Sequence, residues 1–271
     1  MKYRRILTIQ DISCVGQCSL TVALPVLSAC GHETCVLPTA LLSTHTGGFG
    51  APVIVPVSGF LSEIAAHWQE NGITFDAVLT GYLGSVSAIQ AASRIMETML
   101  APGGIRIVDP AMADNGRLYS GFDGGYVREM RKLCEKADVI LPNLTEAALL
   151  SGEPYQPTSD IAYAQRLLDT LSNPNVILTG VGTAETGFLL RENGECRYYA
   201  HRRLDGSFSG TGDLFAAAFT GALMAEKPLY DSARIAADFT CRCIERTAAQ
   251  PAHWYGVKFE PVLPELIGML R

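Results

Sequence analysis

The chain has 271 residues, 48% hydrophobic and 18% charged, with a formal net charge of −6. That is enough apolar sequence for a large α/β core, and it excludes a disordered chain. The acidic balance gives no footprint for nucleic acid, so an anionic ligand has to be met by backbone amides, a metal ion or a few local cations.

Arg5–Gln10 is a short apolar run that reads as a buried strand, and Asp11–Gln17 reads as the loop after it. Ser19–Ala29 has a helical pattern in which Pro25 predicts a kink. A second strand is expected around Thr34–Pro38, and Ser43–Gly50 is a loop of small and polar residues suited to covering a ligand. Residues 52–57 form a Pro-bounded β-like patch. Phe60–Asn71 is helix-like, and Gly72 supplies its stop. Asp76–Tyr82 reads as a strand, Ser85–Leu100 as an amphipathic helix stopped by Pro102-Gly103-Gly104, and Ile105–Pro110 as the next strand. A polar loop from Ala111 to Gly125 leads into a helix over Tyr126–Glu135. Ala137–Asn143 is strand-like, and Thr145–Gly152 and Asp160–Leu171 are helices. Asn175–Gly182 is a strand, followed by a hairpin whose turn is Asn193-Gly194. The last elements are an apolar helix from Leu214, a second over Asp231–Thr247 and a third over Val262–Leu270.

Strand and helix alternate at least five times without a linker. The expectation is one α/β domain over residues 1–271, with a mostly parallel central sheet, helices on both faces and a late antiparallel hairpin. The eight cysteines include no Cys-x-x-Cys pair and read as reduced thiols, mostly buried. No targeting segment is read at the N-terminus, and no apolar run is long enough to span a bilayer. A cytoplasmic protein without membrane or nucleic-acid partners is expected.

The chemistry concentrates in Phe208–Phe215, where Gly210-Thr211-Gly212-Asp213 opens the apolar helix. Backbone N–H groups and the dipole at a helix N-terminus favour an anion, and glycines let it approach. An aspartate beside such a loop suits a base that takes a proton from a nucleophile attacking phosphorus. Taken alone, the pattern equally fits an ordinary N-cap aspartate.

Other polar residues follow strands: Asp11 and Ser13, Tyr82, Asp109, Asn143 and Thr179. In a parallel sheet these positions gather on one edge, where ligands bind. Asp109, Asn143 and Glu146 then form a candidate Mg²⁺ site, directly or through water. Thr179 and Asp114 fall near a nucleotide's phosphates, with Thr211 and Gly212 at the transferring group. No Walker A or Rossmann glycine motif is present.

These motifs resemble the ribokinase-type small-molecule kinases, and within them the pyridoxal (vitamin B6) kinases, over essentially the whole chain. Gly210–Phe215 resembles the family's anion hole and catalytic aspartate, Asp109–Asp114 its Asp-Pro-x-x-x-Asp segment, and Leu141–Glu146 its metal-associated Pro-Asn-x-x-Glu motif. Ser43-Thr44-His45-Thr46-Gly47 resembles the Ser-Asn-His-Thr-Gly loop of pyridoxal kinases, and Thr80-Gly81-Tyr82 their strand-end Gly-Tyr. The resemblance implies a ribokinase-like three-layer sandwich, ATP and Mg²⁺ as cofactors with a monovalent cation such as K⁺ as a further candidate, and a homodimer. It implies phosphorylation of the 5′-hydroxymethyl of a B6 vitamer, with Asp213 as base and with Thr46, Tyr82 and His45 at the substrate. Two positions depart from it. Asp11 stands where these kinases often have serine, and Thr44 replaces asparagine. A carboxylate at 11 favours a protonated ring nitrogen or a hydroxyl donor. Phe208 and Ser209 precede the glycine loop where some relatives carry a reactive cysteine, so no covalent adduct is expected there. Hydroxymethylpyrimidine or another small alcohol is the alternative substrate. A nucleotide- or B6-binding regulator without turnover is the alternative of another class, and the intact Asp213 argues against it.

Overall fold

The computed structural model describes residues 2–271 apart from Asp205, Ser207 and Pro251. Strand β1 (Arg5–Ser13) is followed by α1 (Leu20–Ala29), β2 (Glu33–Leu42), β3 (Ile54–Pro56), α2 (Leu61–Glu70), β4 (Phe75–Thr80) and α3 (Val86–Thr98). Then come β5 (Leu100–Val108), the small pair β6 (Ala113–Asp114) and β7 (Arg117–Leu118), α4 (Gly124–Glu135), β8 (Val139–Ile140), α5 (Leu144–Ser151) and α6 (Ile161–Thr170). The chain closes with β9 (Asn175–Val181), β10 (Glu185–Glu192), β11 (Glu195–Arg202), α7 (Thr211–Met224), α8 (Leu229–Ala248) and α9 (Leu263–Leu270).

The main sheet has nine strands in the order β11-β10-β9-β8-β5-β4-β1-β2-β3. Its centre, from β2 through β9, is parallel, and β3, β10 and β11 are antiparallel at the edges. The strands alternate inward residues between the two faces, as period-two geometry requires. Leu7, Val78, Val108 and Leu178 pack under the helices α2 to α6, and Ile6, Leu79, Ile107 and Ile177 pack under α1, α7, α8 and α9. Because both faces are covered, the central strands read as continuous apolar runs rather than alternating ones.

The order of strand addition reverses beside β1, which has β2 on one side and β4 on the other. Loops from the carboxyl ends of β1 and β4 diverge there and leave a crevice. Several boundaries differ from the sequence expectation. β1 runs on to Ser13 through a register shift between Gln10 and Ile12, so Asp11 and Ser13 lie on a strand end rather than in a loop. Leu100 opens β5, so Pro102-Gly103-Gly104 lies inside a strand instead of ending a helix, and the register shift beside it absorbs the irregularity. The polar loop after β5 contains the β6–β7 hairpin, turned by Asn115 and Gly116, both at positive φ. Among the cysteines only Cys30, Cys134 and Cys243 are buried, and Cys14 is exposed; all eight are free thiols. Among the described residues no helix is long and apolar enough to cross a membrane.

Candidate active site

A cavity of about 640 Å³ opens at the carboxyl edge of the sheet. All the residues singled out from sequence line it: Asp11, Ser13, His45, Thr46, Tyr82, Asp109, Asp114, Asn143, Glu146, Thr179 and the run Gly210–Asp213. Five of these, Asp11, Asp109, Asp114, Glu146 and Asp213, are carboxylates, and no lysine or arginine among the described residues joins them. A phosphate entering here has to be held by amides, hydroxyls and accompanying metal ions.

The N-cap of α7 is Gly210, at φ 82° and ψ 2°. Asp213 is therefore the third residue of the helix, and no side chain caps it. This removes the N-cap reading of Asp213. The first-turn N–H groups of α7 point out of the helix without intrahelical acceptors, as at any helix start. Gly210 is required by packing as well as by φ, because a Cβ there would lie 2.3 Å from the carbonyl oxygen of Gln17. The glycine loop thus lies directly on the turn before α1. The Asp213 carboxylate faces the backbone of Ser19 in that turn. Burial pushes its pKa up to about 7, the Ser19 N–H pulls it down, and the charge of Asp11 pushes it up further.

Asp11 is 3% exposed, and Ser13 Oγ donates to its Oδ2 at 2.9 Å. Burial raises its pKa, while the hydroxyls of Ser19 and Ser13 hold it down. Tyr82 stands beside it and stacks on Phe122, with ring centroids 5.4 Å apart, and Phe122 stacks in turn on Tyr126. An acidic edge and an aromatic wall therefore meet on this side of the cavity, an arrangement suited to a polar heteroaromatic ring.

The loop at 43–50 is pinned by His45. Its Nδ1 accepts the Gly47 N–H at 2.9 Å, which leaves Nε2 as the donor to the carbonyl of Tyr255, also at 2.9 Å. With both ring nitrogens used on backbone, His45 presents its ring to the cavity rather than a free hydrogen-bonding group. This changes the sequence expectation for it from substrate ligand to loop anchor. Phe49 of the same loop packs on Trp254 with centroids 4.7 Å apart.

At the other end of the cavity, Asn143 caps α5 reciprocally with Glu146. Glu146 also accepts the Met112 N–H at 3.1 Å, and Asn143 Nδ2 donates to the Ala113 carbonyl at 2.8 Å. Burial pushes the Glu146 pKa up to about 8, against the pull of the backbone donors. Asp109, 9% exposed, is held well above the usual carboxylate range by burial and then by the charges of Glu146 and Asp213. Asp114 is exposed and bonded to Asn115 through both carboxylate oxygens, which fixes its turn. Thr179 pairs with Asn143 across a parallel bridge.

No group of three His, Cys, Asp or Glu ready to hold a metal occurs among the described residues. Two buried, mutually repelling acids do fit a hydrated Mg²⁺, for which phosphates supply the remaining oxygens. Glu146 already spends oxygen lone pairs on N–H donors and Asn143 spends its amide on backbone, so Asp109 is the better direct ligand.

Sequence reading missed several lining residues. His201 comes from β11 and lines the cavity. Ala237, Thr240 and Ile244 come from the middle of α8, where only helical periodicity marked them. Cys18 and Ser19 also line the cavity, and burial followed by the charges of Asp213 and Asp11 keeps Cys18 a thiol.

Residues 23–257 match the phosphomethylpyrimidine kinase family. The fold superposes on a pyridoxal kinase from Lactobacillus plantarum with a TM-score of 0.90 and 38% identity, covering 98% of this chain and 97% of that one. A Bacteroides thetaiotaomicron protein, described as a candidate phosphomethylpyrimidine kinase and crystallised with pyridoxal, gives a TM-score of 0.89 at 35% identity, covering 98% and 96%. The pyridoxine/pyridoxal/pyridoxamine kinase of Bordetella bronchiseptica is 27% identical over 255 residues, 89% of each chain.

Proposed function

The chain belongs to the phosphomethylpyrimidine kinase family, and we propose that it is a single kinase domain transferring the γ-phosphoryl group of ATP to the 5′-hydroxymethyl of a vitamin B6 vitamer. The observation that carries this reading is the position of Asp213. A carboxylate with its pKa raised to about 7 stands in the first turn of α7, among the unsatisfied amides of that helix start. It shares a cavity with the acidic and aromatic wall of Asp11 and Tyr82. The likeness to named pyridoxal kinases supports the choice of alcohol.

In this reading the heterocycle lies between Tyr82, Thr46 and Asp11, with Ser13 and His45 behind them, and its hydroxymethyl points at Asp213. Asp213 accepts the hydroxyl proton as the oxygen attacks phosphorus. The N–H groups of Gly210–Asp213 stabilise the charge on the transferring group. Thr179, Thr211, Gly212, Asp114 and Asn143 line the nucleotide's side. Asp109, and Glu146 through water, would hold Mg²⁺, which would supply positive charge to the phosphate oxygens. The loop pinned by His45 excludes water, which limits idle hydrolysis. A cytoplasmic homodimer is part of this proposal by analogy with the related kinases.

A second reading is hydroxymethylpyrimidine as the acceptor alcohol, since the family description names a substituted pyrimidine. A coupled ATPase assay with pyridoxal, pyridoxine, pyridoxamine, hydroxymethylpyrimidine and simple sugars separates the two. Stimulation by the B6 vitamers with formation of their 5′-phosphates is expected. Stimulation by hydroxymethylpyrimidine alone selects the second reading, and stimulation by none sinks both.

A further inference from the structure

Gln17, in the turn between β1 and α1, does not line the cavity, yet two distant segments close on it. Its backbone has φ 37°, a conformation that side chains rarely adopt and that persists only where the surroundings hold it. Its carbonyl oxygen is pressed on Gly210, where a Cβ would lie 2.3 Å away. On its side-chain face a Cβ at Gly256 would lie 2.9 Å from the Gln17 Cβ. Gln17 is thus wedged between the glycine loop and the segment that follows α8.

The side-chain amide is engaged at both ends. Nε2 donates to Glu260 Oε1 at 2.6 Å, and Oε1 accepts from His253 Nε2 at 2.9 Å. Chemistry fixes which end is which, because the Glu260 carboxylate only accepts and has to face the NH2 group. His253 stands beside Trp254, which packs on Phe49, and two residues before Tyr255, whose carbonyl accepts from His45. Gly16, next to Gln17, lies under the His45 ring, and a Cβ there would come within 2.1 Å of it. The segment 253–256 and the loop at 43–50 therefore form one body of contacts, and Gln17 joins it to the glycine loop. Gly210 is the left-handed N-cap that sets the direction of the first N–H groups of α7, and no side chain caps that helix. Packing from the Gln17 carbonyl stands in place of a capping bond.

We propose that Gln17 is a positioning residue for phosphoryl transfer: held by His253 and Glu260, it keeps its carbonyl against Gly210 and so fixes the glycine loop. This rests on the reading of the protein as a kinase of a small alcohol. Glycine would relieve φ at position 17, but it would give His253 and Glu260 nothing to hold.

The test uses the full chain with Gln17→Ala, Gln17→Gly, Gln17→Glu and the double variant Gln17→Glu with Glu260→Gln. It measures kcat, the KM of acceptor and of ATP, and the urea unfolding midpoint. A displaced glycine loop weakens contacts made to the transferring group, so kcat is expected to fall about tenfold in Gln17→Ala and Gln17→Gly. Both KM values stay within about twofold of wild type, since no ligand contact is removed. Gln17→Gly unfolds at the higher midpoint of the two by relieving φ, without recovering kcat. Gln17→Glu sets two carboxylates against each other and lowers kcat likewise. Adding Glu260→Gln returns an amide donor to the pair and restores kcat to within about threefold of wild type. A kcat that Gln17→Ala leaves unchanged, that follows the unfolding midpoint, or that Glu260→Gln fails to restore overturns the proposal while the kinase reading stands. A loss confined to the acceptor KM places Gln17 in the loop contacts alone and overturns it as well. Wild-type protein that phosphorylates no alcohol overturns both.

Discussion

Asn143 and Glu146 hold each other in place. Asn143 Oδ1 accepts the Glu146 N–H at 2.9 Å, and Glu146 Oε2 accepts the Asn143 N–H at 2.9 Å. The pair that looked from sequence like metal ligands is first a reciprocal cap that aims α5 at the cavity. Asn143→Ala is expected to cost about 1–2 kcal/mol of stability through the lost cap, read as a lower urea midpoint. The ATP KM rises as the loop carrying Ala113 and Asp114 loses its anchor, while the acceptor KM holds. An unchanged midpoint contradicts the capping role.

Asp109 differs from this pair in having no hydrogen-bond donor assigned to its carboxylate among the described residues, and its charge is opposed by Glu146 and Asp213. A divalent cation relieves that repulsion. Asp109→Asn is expected to raise the Mg²⁺ concentration for half-maximal rate at least about tenfold. It should leave binding of the acceptor alcohol, followed by calorimetry without nucleotide, unaltered. An unchanged Mg²⁺ requirement removes Asp109 from the metal site.

Asp213 trades stability for function. Its folded pKa, about 7, lies above the ordinary value of 3.8. The folded chain therefore keeps a proton that the unfolded chain releases, and stability contributed by the protonated form is lost as pH rises from about 4 to 7. Asp213→Asn should unfold at higher urea than wild type at pH 8, by on the order of 1 kcal/mol or more, and the gap should close toward pH 4. A gap that is constant with pH contradicts the raised pKa. In the wild type, kcat/KM should fall on the acid side below about pH 7, where the base becomes protonated.

His45 ties the loop at 43–50 to the C-terminal segment through Tyr255, and Phe49 carries that contact to Trp254. Trp254 is one of two tryptophans, and the other, Trp68, lies on α2. His45→Ala is expected to release this clasp, shift the Trp254 emission and raise the rate of ATP hydrolysis without acceptor relative to transfer. Unaltered emission and unaltered coupling argue that the loop is held by other contacts.

Much of this site was legible in the sequence because parallel strands deliver their C-terminal residues to one edge. Asp11, Tyr82, Asp109, Asn143 and Thr179 were placed by that rule, and all five line the cavity. The Gly-Thr-Gly-Asp run marked a helix start, but only backbone conformation settles that Gly210 is the cap and Asp213 the third residue. Lining residues from within elements were not legible. Thr240 and Ile244 are indistinguishable by pattern from the core residues beside them on α8, and His201 reaches the cavity only because β11 is added antiparallel at the edge. Long-range hydrogen bonds were equally hidden: nothing local to His45 points to Tyr255, 210 positions away. The strand boundary at Leu100 failed because Pro-Gly-Gly is a stop signal whose irregularity the sheet absorbed as a bulge.

The central assignment is tested most directly by one product analysis. Purified wild type and Asp213→Ala are incubated with Mg-ATP and each B6 vitamer, and phosphorylated product is followed by mass spectrometry alongside nucleotide affinity. Wild type is predicted to form the 5′-phosphate. Asp213→Ala is predicted to bind ATP with little change and to lose turnover about 100- to 10,000-fold. Turnover retained in Asp213→Ala, or a wild type that phosphorylates no vitamer, contradicts the assignment.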